Sequence, residues 1–414
     1  MRLKDKELRD KIKELHEEGF SQREIARRLG MGKSTVGDYL RGETYGGFEE
    51  VDEEILEVNV KLAQQVQKQQ DLNRIKNKSF RERARVVNAL EEFDNELIKV
   101  VSDNNLSELV VKHSPQGDEV VGIVQISDVH FNEQINLEIN TYNFTVAAQR
   151  LRKMITKAKV LFKASGVTNV LIAFTGDLLN SDRRLDELLE NATNRSKATF
   201  LAVDILQQVI LDLNKDWNIS VASICGNEAR VNPDIGWIDQ IASDNYDYTI
   251  HQTLGYLFRG SDGITFLPMS NPLEQVVDVC GKHILLMHGH NGVATNGNIE
   301  GGVSKTISRY AVAGIKLDYV LMGHIHSSNV GDFYGRSSGL TGANAYSEKA
   351  LNLYSKAAQN VYIVDAEGID GFKLDLQDAD SYEPYSFDRE LESYNSKSES
   401  KSKKVGVVIH QIVI

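Results

Sequence analysis

The chain is poor in cysteine. It holds only two, Cys225 and Cys280, each set among apolar residues. Disulfide-rich folds and cysteine-ligated metal sites both need more thiols than this, so neither class fits the sequence. We interpret both residues as buried structural thiols of a protein that works in a reducing compartment, and we expect a cytoplasmic location.

Long hydrophobic runs are also missing. No apolar stretch approaches the roughly 20 residues that a helix needs to cross a bilayer, and the first residues, Met-Arg-Leu-Lys-Asp-Lys-Glu, lack the apolar core of a signal peptide. We therefore expect a soluble protein that does not bind membranes. Proline is scarce, with 5 residues, and the content of 41% hydrophobic and 26% charged residues indicates globular domains.

The chain has no excess of positive charge. Its formal net charge of −12 argues against binding nucleic acid over the whole surface, although it leaves room for a local basic patch. A chain of 414 residues is long enough for two or three domains at roughly 150 residues each. Changes in composition divide it into four predicted regions, 1–45, 49–113, 118–376 and 377–414.

A three-helix unit is predicted at the start of the chain. Apolar side chains at Leu8, Ile12 and Leu15 have helical spacing, and two shorter helices follow. The segment 20–41 resembles a helix-turn-helix module, which implies a recognition face on the third helix. The residues on or near that face, which would bind DNA, are Lys33, Ser34, Thr35 and Asp38. A three-helix bundle that docks a protein is the alternative.

The region 49–113 is charged, free of proline, and apolar at every third to fifth position, which predicts one or two long helices. Basic side chains crowd residues 74–85. Those that would bind DNA are Arg74, Lys76, Lys78 and Arg81. Two interpretations stay open, a solvated helix face and a track that binds phosphates. The apolar spacing also allows pairing with a protein partner or with a second copy of the chain.

The region 377–414 is polar at first and apolar at its end. We predict a flexible linker up to residue 404, because Asp, Glu, Ser and Lys dominate there. The last residues, Val405 to Ile414, read as one strand that would join its own sheet or that of a partner, since ten residues are too few for a membrane helix.

The region 118–376 alternates β-branched apolar runs with helical stretches, and helices are predicted at 144–164, 185–212 and 304–315. This alternation predicts a layered α/β domain that binds ligands at the carboxyl ends of its strands. Ligand-type residues follow five of the runs: Asp128-Val-His130, Gly176-Asp177, Gly226-Asn227, His288-Gly-His290 and Gly323-His324-Ile-His326. Carboxylates and imidazoles at successive strand ends indicate a metal site suited to manganese, iron or zinc, and poorly to calcium.

The order of these five motifs resembles the calcineurin-like metallophosphoesterase superfamily over about residues 120–375. The resemblance implies a two-sheet β sandwich flanked by helices, with two divalent metal ions. Manganese is the metal that we expect first. The implied ligands are, for one ion, Asp128, His130 and His326; for the other, Asn227, His288 and His324; and Asp177 as the bridge. His290 would orient a ligand or a phosphate oxygen.

One residue departs from the family's motif. The family usually has histidine after Gly-Asn, as the acid that protonates the leaving oxygen, whereas this chain has Glu228. A free carboxylic acid with a pKa of about 4.3 is mostly ionised at neutral pH and would donate poorly. Three outcomes stay open: Glu228 is a retuned acid, His290 or Arg230 takes over the role, or catalysis is weak.

Together, the two parts predict a metal-dependent phosphodiesterase that cleaves DNA and is positioned by the helix-turn-helix. The fusion looks like a protein of bacteria or their tailed viruses, so we expect it in a bacterial or infected host cytoplasm. One alternative is a phosphomonoesterase that acts on phosphoproteins or small nucleotides. The other is a DNA-binding regulator or assembly protein whose metal site is impaired.

Overall fold

The structure, a computed structural model, describes residues 3–41, 109–114, 119–291, 293, 298–344 and 355–388. They fall into two compact units, one that carries residues 3–41 and one that carries the rest. Several predictions lie outside the described residues: the long helices with Arg74, Lys76, Lys78 and Arg81, the linker residues 389–404 and the strand 405–414.

Three helices form the smaller unit, as the sequence predicts. They are α1 (Leu3–Glu17), α2 (Gln22–Leu29) and α3 (Lys33–Arg41). Ile12, Ile25 and Val36 are fully buried, so each helix contributes an apolar side chain to one small core. Gly30 ends α2 in the left-handed conformation with φ of 65°, and its backbone N–H donates to the carbonyl of Ala26.

The larger unit mixes strands and helices. Its strands are β1 (Val121–Ile126), β2 (Ile135–Leu137), β3 (Asn140–Tyr142), β4 (Asn169–Phe174), β5 (Asn218–Ser223), β6 (Ile264–Phe266), β7 (Glu274–Val279), β8 (Lys282–Met287), β9 (Tyr319–Met322), β10 (Asn329–Val330), β11 (Tyr334–Arg336), β12 (Ala358–Val364) and β13 (Ile369–Asp375). Its described helices are α4 (Phe144–Ala164), α5 (Leu185–Glu190), α6 (Arg195–Asn214), α7 (Asp239–Ala242), α8 (Tyr246–Leu257) and α9 (Ile299–Val312).

Two large sheets organise the unit. The first has the order β13-β12-β1-β4-β5-β6, and the second has the order β10-β11-β9-β8-β7. Strands β1, β4, β5 and β6 run parallel to one another, as do β8, β9 and β11. Since parallel strands end at the same edge of a sheet, the loops after them are brought together there.

The two sheets share an apolar core. Successive residues of β1 point to opposite faces, so Ile123 joins a cluster with side chains of the second sheet while Val124 packs under the helices. Leu286 of β8 and Leu321 of β9 belong to the cluster between the sheets. Helices α4 and α6 cover the outer face of the first sheet, and α9 packs on the second. The α/β prediction is confirmed, with two sheets lying between helices.

The helix predictions for this unit hold to different degrees. The helix predicted at 144–164 is α4, with the same bounds. The helix predicted at 185–212 is in fact two, α5 and α6, because asparagines interrupt it. Asn191 has extended backbone and bonds Asn180 and Ser181 with its amide, and Asn194 caps α6 by accepting from the backbone N–H of Lys197.

The last predicted helix, 304–315, begins earlier than expected. Asn298 accepts a hydrogen bond from the backbone N–H of Gly301, and α9 starts directly after it. The apolar periodicity of the sequence becomes clear only one turn later, which is why the start was placed too late. The helix ends at Val312, and Gly314, with φ of 82°, follows.

The larger unit continues past the predicted boundary at 376. Tyr385 is buried, and its hydroxyl donates to the carboxylate of Asp212 at 2.9 Å. The backbone and hydroxyl of Ser386 both donate to Gln208.

Cys225 is buried, Cys280 is half-buried, and both are free thiols. Among the residues described, no helix is long and apolar enough to cross a membrane.

Candidate metal centre

The loops after β1, β4, β5, β8 and β9 meet at one edge of the two sheets. Backbone hydrogen bonds fasten the first loop to the second: the N–H of Asp128 donates to Gly176, and that of His130 donates to Asp177, both at 3.0 Å. The N–H of Gly323 donates to the carbonyl of His288 at 3.0 Å, which joins the fourth loop to the fifth. The ligand-type residues of five separate strand ends therefore become neighbours.

A first group of possible metal ligands consists of Asp128, His130 and His326, whose ligand atoms lie within 4.8 Å of one another. The Nε2 atoms of the two histidines face each other at 3.1 Å, and Nε2 of His326 lies 3.3 Å from Oδ1 of Asp128. Nδ1 of His130 contacts Oδ1 of Asn180 at 3.1 Å. Because that oxygen only accepts, Nδ1 carries the proton and Nε2 is left with a lone pair for a metal.

A second group consists of Asp177, His288 and His324, again within 4.8 Å of one another. Nδ1 of His288 donates to the carbonyl of Thr175 at 2.8 Å, which turns Nε2 towards the carboxylates. Nε2 lies 2.8 Å from Oδ2 of Asp177 without hydrogen-bond geometry. Two atoms so placed are aimed at a common point rather than at each other, as ligands of one cation are.

Asn227 is the remaining residue that the sequence predicts as a ligand of the second ion. Its Nδ2 donates to Oε1 of Glu228, which fixes the direction of the amide. Its Oδ1 is buried and meets no hydrogen-bond partner among the described residues. The next backbone N–H, that of Glu228, donates to Oδ1 of Asp177 at 2.7 Å, which ties the Asn227 loop to this carboxylate. A buried acceptor without a donor is costly unless a cation satisfies it.

Five of the seven predicted ligands have left-handed backbone, a conformation that costs roughly 1–2 kcal/mol per non-glycine residue. They are Asp128 (φ 49°), His130 (49°), Asp177 (54°), His324 (71°) and His326 (52°). The surrounding hydrogen bonds hold this strain in place. Strained backbone of this kind is concentrated at functional sites.

Glycines beside the ligands allow the loops to approach closely. A Cβ atom on Gly176 would lie 2.6 Å from the backbone nitrogen of Gly226, and one on Gly323 would collide with Ser127 and with Asp128. Any other residue at these positions would push the loops apart. The absence of a side chain at Gly176 and Gly323 therefore lets the loops of the centre pack against one another.

The two buried carboxylates attract positive charge. Burial alone would raise the pKa of Asp128, but the hydrogen bond and charge of His326 lower it to about 2. Burial also opposes ionisation of Asp177, yet the charge of His288 holds the pKa of Asp177 far below its ordinary range. In return Asp177 raises the pKa of His288 to about 10, against the effect of burial. A bound cation would take the place of the proton on His288.

Comparisons with known proteins give only distant similarity. No protein-family model and no curated protein matches the chain. Vacuolar protein sorting 29 of Cryptosporidium parvum is 15% identical over 63% of this chain and 94% of its own, with a TM-score of 0.32. A predicted phosphoesterase of Streptococcus pneumoniae is 11% identical over 65% and 95%, with a TM-score of 0.28. Purple acid phosphatase PPD1 of yellow lupin is 11% identical over 66% and 55%, with a TM-score of 0.34. Similarity this distant carries no argument, so function rests on the geometry of the loops.

Glu228 is engaged as an acceptor through both carboxylate oxygens. Oε2 pairs with Nη2 of Arg183 at 2.9 Å, and Oε1 accepts from the amide of Asn227. Its backbone carbonyl accepts from Arg183 at 2.9 Å and from Arg195 at 3.1 Å. This arrangement argues against Glu228 as a proton donor and gives it a part in holding Asn227.

The two suggested substitutes for that acid are placed differently. Arg230 donates to the carbonyls of Asn227 and Pro233 in its own loop, so its guanidinium is already occupied. His290 has its ring centroid 5.4 Å from that of His288, and its buried Nδ1 has no partner in the described part of the chain. Burial, and then the charge of His288, lower the pKa of His290 to about 3, so its imidazole is neutral.

Asp247, on α8, is a site residue that sequence reasoning missed. Its Oδ2 accepts from the backbone N–H groups of Asp177 and Gly226, and its Oδ1 accepts from that of Leu178, all at 2.9 Å. It thereby joins the loop after β4 to the loop after β5. Burial, and then the charge of Asp177, raise the pKa of Asp247 to about 6. No motif marks this residue, because it lies in a helix and not after an apolar run.

Proposed function

We propose that the chain is a two-metal phosphodiesterase that cleaves DNA. The observation that best supports this function is the meeting of two groups of ligand-type side chains at five strand ends, with hydrogen bonds between their loops. Two divalent cations, when bound, activate water and neutralise the charge that develops on the phosphoryl oxygens. The donor set suits manganese, with iron or zinc as alternatives.

The proposed ligands follow the two groups. They are Asp128, His130 and His326 for one ion, Asn227, His288 and His324 for the other, and Asp177 as the bridge. The bridging role is supported by the contact between the groups, because the backbone N–H of His130, in the first, donates to the carbonyl of Asp177, in the second, at 3.0 Å. The backbone N–H of Glu228 donates to Oδ1 of Asp177, which leaves Oδ2 at 2.8 Å from Nε2 of His288.

His290 is the residue that we propose to contact the leaving group. Its neutral imidazole stands next to the second group of ligands, and one of its nitrogens is unpartnered among the described residues. A neutral imidazole can donate a hydrogen bond to the departing oxygen without carrying charge. Glu228, held as a carboxylate acceptor by Arg183, would position Asn227 instead.

The smaller unit supports DNA as the substrate. Lys33, Ser34 and Thr35 are exposed in the first turn of α3, where side-chain donors and free backbone N–H groups suit phosphate contacts. Asp38, the fourth residue predicted on this face, pairs with Arg41 at 2.6 Å within the same helix. It would have to leave this pair to contact a base.

The deciding experiment is cleavage of labelled single- and double-stranded DNA by the full chain with manganese, compared with a phosphomonoester. The Asp177→Asn variant tests the centre. Asp262→Asn is a matched control, since Asp262 is an exposed carboxylate whose partner is the exposed Lys112. We expect DNA cleavage by the wild type and by the control, and none by Asp177→Asn.

Other outcomes would point to other functions. Turnover of the monoester without DNA cleavage would replace the nuclease with a phosphomonoesterase. Bound metal and DNA binding without any turnover would favour a regulator or assembly protein with an impaired site. Activity that survives Asp177→Asn at the wild-type rate would contradict the proposed metal centre.

A further inference from the structure

Trp237 lies next to the metal centre and is exposed. Its ring is nearly parallel to that of His290, with centroids 6.5 Å apart and planes inclined by 18°. The ring of His290 in turn lies 5.4 Å from that of His288. Although one side of Trp237 faces His290, 64% of the residue is accessible to solvent. A large aromatic ring left open beside a reactive site suggests a contact with a ligand.

A cavity of about 460 Å³ adjoins this ring, a volume typical of small-ligand sites. It lies between the Trp237 loop, the start of β7 and one face of α9. The side chains that line it are Trp237, Asn271, Leu273, Glu274, Asn291, Lys305, Thr306 and Arg309. They offer an aromatic and an aliphatic surface together with two amides, a hydroxyl, two cations and one carboxylate, so the lining combines apolar and polar groups.

The charges in the cavity are unequal. Arg309 pairs with Glu274, which also accepts from the hydroxyl of Tyr310 at 2.8 Å, so this cation is neutralised. Lys305 forms no ion pair within the part of the chain that the structure describes. Oδ1 of Asn291 is buried and lacks a hydrogen-bond donor among the same residues. The cavity thus offers one unpaired cation and one unsatisfied acceptor near an open aromatic face.

We propose that this cavity binds a nucleobase of the phosphoester that is cleaved at the metal centre. The base would stack on the open side of Trp237, an exocyclic amino group would donate to Asn291, and a flanking phosphate would contact Lys305. The inference rests on the proposed phosphodiesterase function and makes its substrate more specific. A base inside a duplex is covered on both sides, so the strand bound here is single-stranded, frayed or at an end.

The mixture of groups favours a base over a protein partner. The core of a protein-docking surface is depleted of charged residues, whereas the cavity beside Trp237 has Glu274, Lys305 and Arg309 in its lining with two amides and a hydroxyl. Stacking tolerates every base, because each has a π-face, while one amide and one lysine add modest preferences. The site therefore fits sequence-tolerant binding of single strands or of nucleotides.

The test is a binding titration with the full chain in manganese, using the Asp177→Asn background to prevent cleavage. The probes are a labelled single-stranded tetranucleotide, an abasic tetramer with the same phosphates, and a deoxynucleoside monophosphate as competitor. We expect Trp237→Ala to lower the affinity for the tetranucleotide by about tenfold. Trp237→Phe should bind the tetranucleotide as tightly as the protein that keeps Trp237. The abasic tetramer should bind all three proteins equally. Tyr256→Ala is the matched control, because Tyr256 is an exposed aromatic residue on α8 outside the cavity.

A spectroscopic signal gives a second measurement. The chain has two tryptophans, and Trp217 is only 4% exposed, so base-dependent quenching of fluorescence reports on Trp237. If the monophosphate quenches as strongly as the tetranucleotide, the cavity binds the base of a free nucleotide. If the tetranucleotide quenches more strongly, the cavity binds a base of a strand. Equal affinity of Trp237→Ala and Trp237 for both tetramers, with no quenching, would overturn the proposal. Because the titration measures binding and not cleavage, its result can be distinguished from a failure of the proposed nuclease activity.

Discussion

His130 and His326 point their Nε2 atoms at each other across 3.1 Å, although 196 positions separate them in the chain. Two imidazole nitrogens at this distance need a proton or a cation between them. We expect His130→Ala to lower the metal content by roughly one ion per chain, measured by elemental analysis after dialysis against manganese. His283→Ala, at a partly exposed position of β8, is the control, and unchanged metal content in His130→Ala would exclude the first group as a site.

Replacement of Asp177 by asparagine should lower turnover below detection, a loss of more than about 100-fold, because an amide lacks the negative charge with which Asp177 would hold the cations. The fold should persist, since Oδ1 of asparagine can still accept from the backbone N–H of Glu228. Circular dichroism and thermal unfolding check the fold, and initial rates check the turnover. A variant that unfolds would assign Asp177 to stability instead.

Glu228 can be tested by two substitutions. Glu228→Gln keeps an acceptor for the Asn227 amide, so we expect most of the turnover and metal to remain. Glu228→Ala removes that acceptor, and we expect turnover to fall about tenfold or more, as for other residues that orient a metal ligand. If Glu228 were the proton donor, both variants would lose activity to the same extent and the pH–rate profile would lose its alkaline limb, because a general acid must be protonated to act.

The Asp247 carboxylate should matter for stability as well as for metal binding. Its two oxygens accept three hydrogen bonds from backbone N–H groups. In Asp247→Asn an NH₂ group replaces one of these oxygens, so at least one backbone N–H would face another donor. We expect a loss of about 2–3 kcal/mol in the free energy of unfolding, measured by urea denaturation, together with weaker manganese binding. Unchanged stability would show that the loops after β4 and β5 hold their positions without this residue.

The order of the ligand motifs allowed most of the centre to be predicted. Asp128, His130 and His326 each follow an apolar run, and strand ends gather at one edge of a sheet whatever their spacing in the chain. Asp247 and the pairing of Arg183 with Glu228 could not be predicted, because both depend on contacts between segments that carry no local pattern. The break between α5 and α6 was missed for a similar reason: the hydrogen bonds of Asn191 compete with the helix only once the loop after β4 is in place.

A buried histidine outside the centre predicts a pH dependence. In His251, Nε2–H donates to the carbonyl of Leu267 at 3.1 Å and Nδ1 accepts from the hydroxyl of Ser223 at 2.7 Å, so the neutral ring is satisfied. Burial lowers the pKa of His251 from 6.5 to about 4. Below pH 6.5 the unfolded chain takes up a proton that the folded chain refuses, so stability falls as the pH drops towards 4.

The expected contribution of His251 is about 3 kcal/mol over that interval, and it is fully present above pH 6.5. We expect His251→Gln to have a flatter dependence of unfolding free energy on pH between 6.5 and 4. His283→Gln, at a partly exposed histidine outside the metal centre, serves as the comparison. Parallel curves for wild type and His251→Gln would assign the acid sensitivity to other groups.

The left-handed backbone at the five ligands has a consequence for the choice of metal. Residues held at φ values between 49° and 71° have little backbone freedom, so the loops limit how far their donor atoms can move apart around an ion. We therefore expect ions of similar radius to replace one another in the centre and a larger ion to bind more weakly. The preference for ions of one size would then be determined by the strained backbone when the chain folds, before any metal binds.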